Sequence, residues 1–181
     1  MSKYYLMAQK VPDNGTVINQ MSHKFTRLKT GHFFPDDFET PFVCQLLGQF
    51  ANGIMSTFYM SPAIIGTKQF YQDLLDCGID NIEVKPVVIN DLVNNRAIDD
   101  YVLLNIIGRI SCADMEKSDY GTIGKGMHVM NKLVVNLEKA DNFDLFLADE
   151  DTNCIIISER VYKYLIQKGY TDIYFEELEH A

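Results

Sequence analysis

Tryptophan is missing from this chain altogether, and no two of its four cysteines stand close enough to form a CxxC pair. Cys44, Cys77, Cys112 and Cys154 are separated by 33, 35 and 42 residues, which fits no structural zinc spacing. Cys77 and Cys154 have apolar neighbours, so the four read as reduced core thiols, each a small hydrophobe. Long apolar runs are also absent. The best candidate, Tyr101 to Ile107, contains Asn105 and falls far short of the ~18 residues that span a bilayer. The stretch Met1 to Leu6 lacks the basic start and apolar run of a secretion signal, so the expectation is a cytoplasmic protein with no membrane association. In that setting Asn14-Gly15-Thr16 reads as a turn and not as a glycosylation site.

Positive charge is scarce beyond the first 30 residues. Residues 1–30 hold five Lys/Arg and one Asp, a net of +4, whereas residues 31–181 carry a net of −13. Such a surface repels phosphate backbones and attracts basic partners, which argues against direct nucleic-acid binding. Ordinary solubility is the bland alternative. Apolar residues at 47% and charged residues at 23% are typical of a folded globular protein and not of a disordered one.

Catalytic templates find no match. Gly121-Thr122-Ile123-Gly124-Lys125-Gly126 has the glycines of a phosphate loop in the wrong order, and reads as a flexible loop. Asp149 to Asn153 imitates half a calcium loop, but Cys154 stands where the turn needs glycine and Arg160 where it needs glutamate. His23, His32, His128 and His180 are dispersed, with no HExxH spacing. His128 acting on Ser111 or Cys112 is a chance pairing, and there is no GxSxG elbow. The residues therefore imply no catalytic group, no metal and no cofactor. A binding protein is the favoured class. A hydrolase-type enzyme with a site assembled from distant residues, and a self-associating structural or regulatory module, stay open.

An α+β fold on one domain of 1–181 is expected, with a mostly antiparallel sheet and two or three packed helices. Tyr4 to Met7 and Thr16 to Ile18, joined by Pro12-Asp13-Asn14-Gly15, predict a hairpin. Residues 22–38 are polar and mixed and read as loop. Thr40-Pro41, followed by Phe42, Val43, Leu46, Leu47 and Phe50, predicts a helix that stops before Gly53. An internal repeat is the most informative feature. Residues 63–87 align without gaps to 154–178 at an offset of 91, with identical pairs such as Ile64/Ile155, Leu74/Leu165, Gly78/Gly169 and Ile82/Ile173. Each copy parses as a short apolar strand, a Thr or Ser cap, a helix, a terminating glycine and a second strand. Two copies are too few for a solenoid, so they should share one core. Between them, Tyr101 to Ile107, Arg109 to Cys112, Lys132 to Leu137 and Phe143 to Leu147 read as strands, and Met115 to Gly126 as a polar loop.

The order of the C-terminal two-thirds resembles a known family. The matching features are Ala63-Ile64-Ile65-Gly66-Thr67, Asn81 to Val87, Tyr101 to Ile106, Asp114 and Ser118, Ile155 to Arg160, and Gly169-Tyr170-Thr171-Asp172. Together they are similar to immunity protein family eleven of bacterial polymorphic toxin systems, over about residues 60–178, with residues 1–59 a variable N-terminal part. The resemblance implies a mostly β fold and neutralisation of a cognate toxin or effector, and supplies no catalytic residues; the acidic charge suits a basic toxin. On that reading the candidate contact residues are the acidic turn Asp149, Glu150 and Asp151, the tail Glu176, Glu177 and Glu179, and the tyrosines Tyr164 and Tyr120. Tyr164 is chosen because its counterpart in the repeat, Asp73, is polar and so predicted to face outward.

Overall fold

A computed structural model describes residues 3–21, 28–123, 127–140 and 142–181. In chain order the elements are β1 (Tyr4–Gln9), β2 (Ile18–Gln20), β3 (Phe42–Leu46), β4 (Phe58–Tyr59), β5 (Ile65–Thr67), α1 (Lys68–Asp76) and β6 (Ile82–Asp91). They continue with β7 (Arg96–Ile98), β8 (Tyr101–Ile106), β9 (Arg109–Ile110), β10 (Asp119–Ile123), β11 (Met127–Lys132), β12 (Val134–Val135) and α2 (Leu137–Ala140). The chain ends with β13 (Leu145–Ala148), β14 (Ile155–Ser158), α3 (Glu159–Gln167), β15 (Ile173–Glu177) and β16 (Glu179–His180). Most strand pairings are antiparallel; β3 with β6, β9 with β13 and β12 with β16 run parallel. The fold is α+β, as the sequence implies.

The repeat is real and its offset holds to the residue. Helix α1 at 68–76 and α3 at 159–167 differ by 91 at both ends. Each closes in the same way: Gly78 and Gly169 take positive φ of 84° and 86°. In the first copy the N–H of Gly78 donates to Leu75 and that of Ile79 to Leu74, and in the second Gly169 donates to Ile166 and Tyr170 to Leu165. This is the left-handed helix cap for which glycine is selected. Thr67 Oγ1 accepts from the Phe70 N–H at 3.1 Å, whereas its counterpart Ser158 turns instead to the Asp144 carboxylate.

The strands around each helix reveal more than the sequence does. Strand β8 lies between β5 and β6, antiparallel to both, with Tyr101 opposite Thr67 and Ile106 opposite Ile82. Strand β1 lies between β14 and β15 in the equivalent register, with Tyr4 opposite Ser158 and Gln9 opposite Ile173. Strands β4 and β13 flank β5 and β14 alike, and β3 and β12 run parallel to β6 and to β16 in matching positions. The duplication thus reaches back to Phe42–Leu46 and 133–137. The first strand of each half is inserted in the sheet of the other half, a reciprocal strand exchange within one chain.

Burial follows this plan. A central cluster takes Phe70, Leu74, Val161 and Leu165 from the helices, together with Val102, Leu104, Ile155 and Ile157 from the sheets. Outer clusters cover the far face of each half, one around Phe42, Ile65 and Tyr101 and the other around Leu133, Ile156 and Tyr4. Strands β8 and β14 are covered on both faces, which is why they read as largely apolar runs, with Asn105 in β8 and Ser158 at the end of β14 as the polar members.

Several expectations are corrected. The turn at Pro12–Gly15 forms, with Gly15 N–H donating to Pro12 at 2.8 Å, but β1 and β2 enter different sheets and make no hairpin. The predicted helix at 42–50 is strand β3 followed by one 3-10 turn at Gly48–Phe50. Phe42, Leu46 and Phe50 recur every four residues, a spacing that fits a helical face and a strand face equally. Cys44 is buried between Phe42 and Leu46, so a period of two wins. The loop expected at 115–126 contains β10, and the strand expected at 132–137 divides among the end of β11, β12 and the start of α2. No helix among the described residues is long and apolar enough to cross a membrane.

Candidate partner-binding surface

The acidic turn is mostly occupied internally. Asp149 is exposed and forms an ion pair with Arg109. Glu150 Oε1 accepts from the Ser111 hydroxyl at 2.8 Å and the Ala113 N–H at 3.2 Å. Asp151 is 7% exposed. Its carboxylate accepts from the Met130 N–H at 3.1 Å and from the Asn153 N–H and side-chain amide at 3.0 Å each. It pins the turn to β11 and does not present a surface anion, contrary to its selection on polarity.

Of the tail residues, Glu177 pairs with Lys3 at 2.7 Å and Glu179 with Lys132 at 2.7 Å. Glu176 is exposed and accepts from the Tyr174 hydroxyl at 3.2 Å. Tyr164 is half-buried against the central cluster, with Lys168 Nζ 5.3 Å from its ring centre. The reason for choosing it is overturned, because Asp73 is buried at 3% exposure. Asp73 bonds Lys168 at 2.8 Å and the Tyr170 hydroxyl at 2.5 Å, joining α1 to the end of α3. Burial alone would raise this carboxyl; the bonds from Lys168 and Tyr170 outweigh it and hold the group below the usual carboxylate range.

Three of the named positions meet at the β10–β11 hairpin. Tyr120 lies on β10, Asp151 holds Met130 of β11, and Glu179 reaches Lys132 at its end. Glu176 and Tyr164 lie on other elements. At the hairpin's root, Ser118 Oγ accepts from the Val134 N–H at 2.9 Å, and its own N–H donates to the Asp114 carbonyl at 2.9 Å. The Asp114 carboxylate accepts from the Glu116 and Lys117 N–H groups and pairs with Lys117 Nζ at 3.3 Å. Beyond this anchored root all five β10 residues are exposed. Ile123 is 61%, Tyr120 37% and Val129 37% exposed, and Tyr120 meets the His128 ring edge-on at 4.9 Å.

The hairpin lies outside the duplicated scaffold. It falls between Ala113, bridged to Val135, and residue 133; the corresponding stretch of the first half, between β2 and β3, has no strand among the described residues. Sequence reasoning missed it because Asp119-Tyr120-Gly121-Thr122-Ile123 has one glycine and no apolar alternation. The alternation of Tyr120 with Thr122, both good strand formers, is the signal that was available.

Among the described residues, Ser111, Cys112 and His128 do not assemble a catalytic group. His128 meets Tyr120 edge-on and Ser111 donates to Glu150, so neither forms a nucleophile–base pair with the other. Burial pushes the thiols of Cys44, Cys112 and Cys154 up to about 12, which keeps them protonated and unreactive at neutral pH. Gly121-Thr122-Ile123 is strand, and Gly124-Lys125-Gly126 lies outside the described residues. A surface cleft of about 410 Å³ beside Lys3 and Phe143 holds Asp144, Ser158 and Arg160. These groups satisfy one another: Arg160 spans from Asp144 at 2.6 Å to the Cys77 carbonyl at the end of α1, and Ser158 donates to Asp144.

A sequence model described as an immunity protein family (Imm11) matches residues 71–180, more than half of the chain. No curated protein sequence matches it.

Proposed function

The chain belongs to the Imm11 family of immunity proteins, and from that premise we propose that it binds and neutralises a cognate toxin by direct protein contact in the cytoplasm. The family match over 71–180 carries the reading, since it runs from within α1 to β16 and spans the hairpin and the acidic tail. Its role on this reading is stoichiometric capture and not catalysis. The net charge of −13 beyond residue 30 supports a basic partner, because charge complementarity speeds encounter. The same charge opposes direct binding of nucleic acid.

Co-expression with the toxin domain encoded by the neighbouring reading frame tests the proposal. The expected result is cell survival and a complex that co-elutes on a sizing column. Cell death despite abundant folded protein, with no complex formed, would end it.

A further inference from the structure

Exposed sheet edges invite pairing with other chains, and native proteins blunt them by shortness, charge or proline. The edges of the two large sheets here are blunted. Strands β2, β4 and β9 have three, two and two residues, and β15 carries exposed Glu176 and Glu177. Strand β10 is the exception beyond a register shift between Asp119 and Tyr120, which leaves Tyr120–Ile123 in regular pairing with β11. It has five residues, all exposed, and pairs with β11 alone among the described residues. It contains no proline and no lysine, and its single charge is Asp119 at the start. Its neighbour β11 is fastened on the other side through Met130 N–H to Asp151.

Among the described residues, charge at this edge is also one-sided. Of the hairpin cations, Lys117 and Lys132 are neutralised by Asp114 and Glu179, and Lys125 lies outside the described residues. Glu116 and Asp119, both exposed, have no ion pair among the described residues. An incoming strand would therefore find main-chain groups along β10, apolar cover from Tyr120 and Ile123, and uncompensated carboxylates at its beginning.

We propose that the toxin docks by strand addition, laying an extended segment with basic side chains along the free edge of β10. Main-chain hydrogen bonds supply the affinity of such a contact, and side chains on alternate positions supply its specificity. The scaffold of exchanged halves holds the root rigid through Asp114, Ser118 and Asp151, so little ordering is needed on binding. This inference rests on the immunity reading and adds to it the element and the mode of contact.

The test is amide hydrogen exchange of the full chain, alone and with an inactive form of the toxin domain from the neighbouring reading frame, together with affinities of edge variants. The expected result is slowed exchange across Asp119–Ile123 in the complex. Ile123→Lys, which places a lysine on the edge, and Asp119→Lys should each weaken binding by roughly tenfold or more, with an unchanged melting temperature because both sites are exposed. Asp99→Lys, at an exposed position between β7 and β8 in the other half, should bind within about threefold of the parent. A complex that forms normally, with β10 exchange unchanged and both hairpin variants at parental affinity, overturns strand addition and leaves the immunity function standing. Failure of the parent chain to bind that toxin domain overturns both.

Discussion

Leu74 and Leu165 occupy equivalent positions in the two helices and are 1% and 0% exposed in the same central cluster. Truncation of either to alanine should cost about 2–5 kcal/mol in a denaturant titration, since neither side of the core can close over the lost volume without moving a helix. Asp73 makes a prediction in pH. Burial raises its carboxyl, but Lys168 and Tyr170 lower it further, so the folded value lies below the unfolded one. Its stabilisation is then full above the unfolded value of about 3.9 and fades as pH falls through the folded one. Asp73→Asn should melt below the parent at neutral pH, and the gap should shrink in melts taken progressively below about pH 4. A gap that stays constant down to acid pH would mean that the carboxylate charge contributes nothing.

At the scale of the element, the two helix ends isolate backbone conformation from packing. Around Gly169 an added Cβ meets nothing within 4 Å, and around Gly78 only the tip of Arg160 at 3.9 Å. Space is thus available at both, and the positive φ alone opposes a side chain. Gly78→Ala and Gly169→Ala should each destabilise by about 1 kcal/mol in denaturant titrations, and asparagine should recover part of the loss. Values near zero would mean that the caps rearrange. The strand at Phe42–Leu46 teaches a related lesson. Its four-residue spacing fits a helix and so masks its match to 133–137, in which Val43/Val134 and Leu46/Leu137 are identical at the same offset of 91.

For the whole molecule, the exchange of β1 and β8 ties the halves together. Each half completes the sheet of the other, and the helices share one cluster, so we propose that residues 1–181 form a single folding unit. A protease site placed between Val93 and Asn94, in the exposed turn after β6, tests this. The cut fragments should co-elute on a sizing column and part only in denaturant; separation in native buffer would refute the single unit. Charge acts at this scale too. With −13 spread beyond residue 30, association with a basic toxin should slow markedly between about 50 and 500 mM salt, as the Debye length shrinks. A rate indifferent to salt would remove electrostatic steering from the account.

The sequence by itself determined the two strand–helix–strand units, their caps and their buried leucines. These depend on contacts within a few residues and on a periodicity that repeats at 91. It also held the resemblance on which the family assignment converges, because the matched hydrophobic segments are local. Only the tertiary structure decided which strand fills each unit. Nothing near Tyr4 specifies that it will face Ser158, 154 positions away, in place of β2 close by; that choice belongs to the burial of both faces of the sheet. The same holds for polar residues. Asp73 and Asp151 read as surface groups until partners distant in sequence, Lys168 and Met130, make their burial affordable. The edge of β10, unpaired among the described residues, is likewise a tertiary outcome, since an edge exists only once every other strand has found its neighbour.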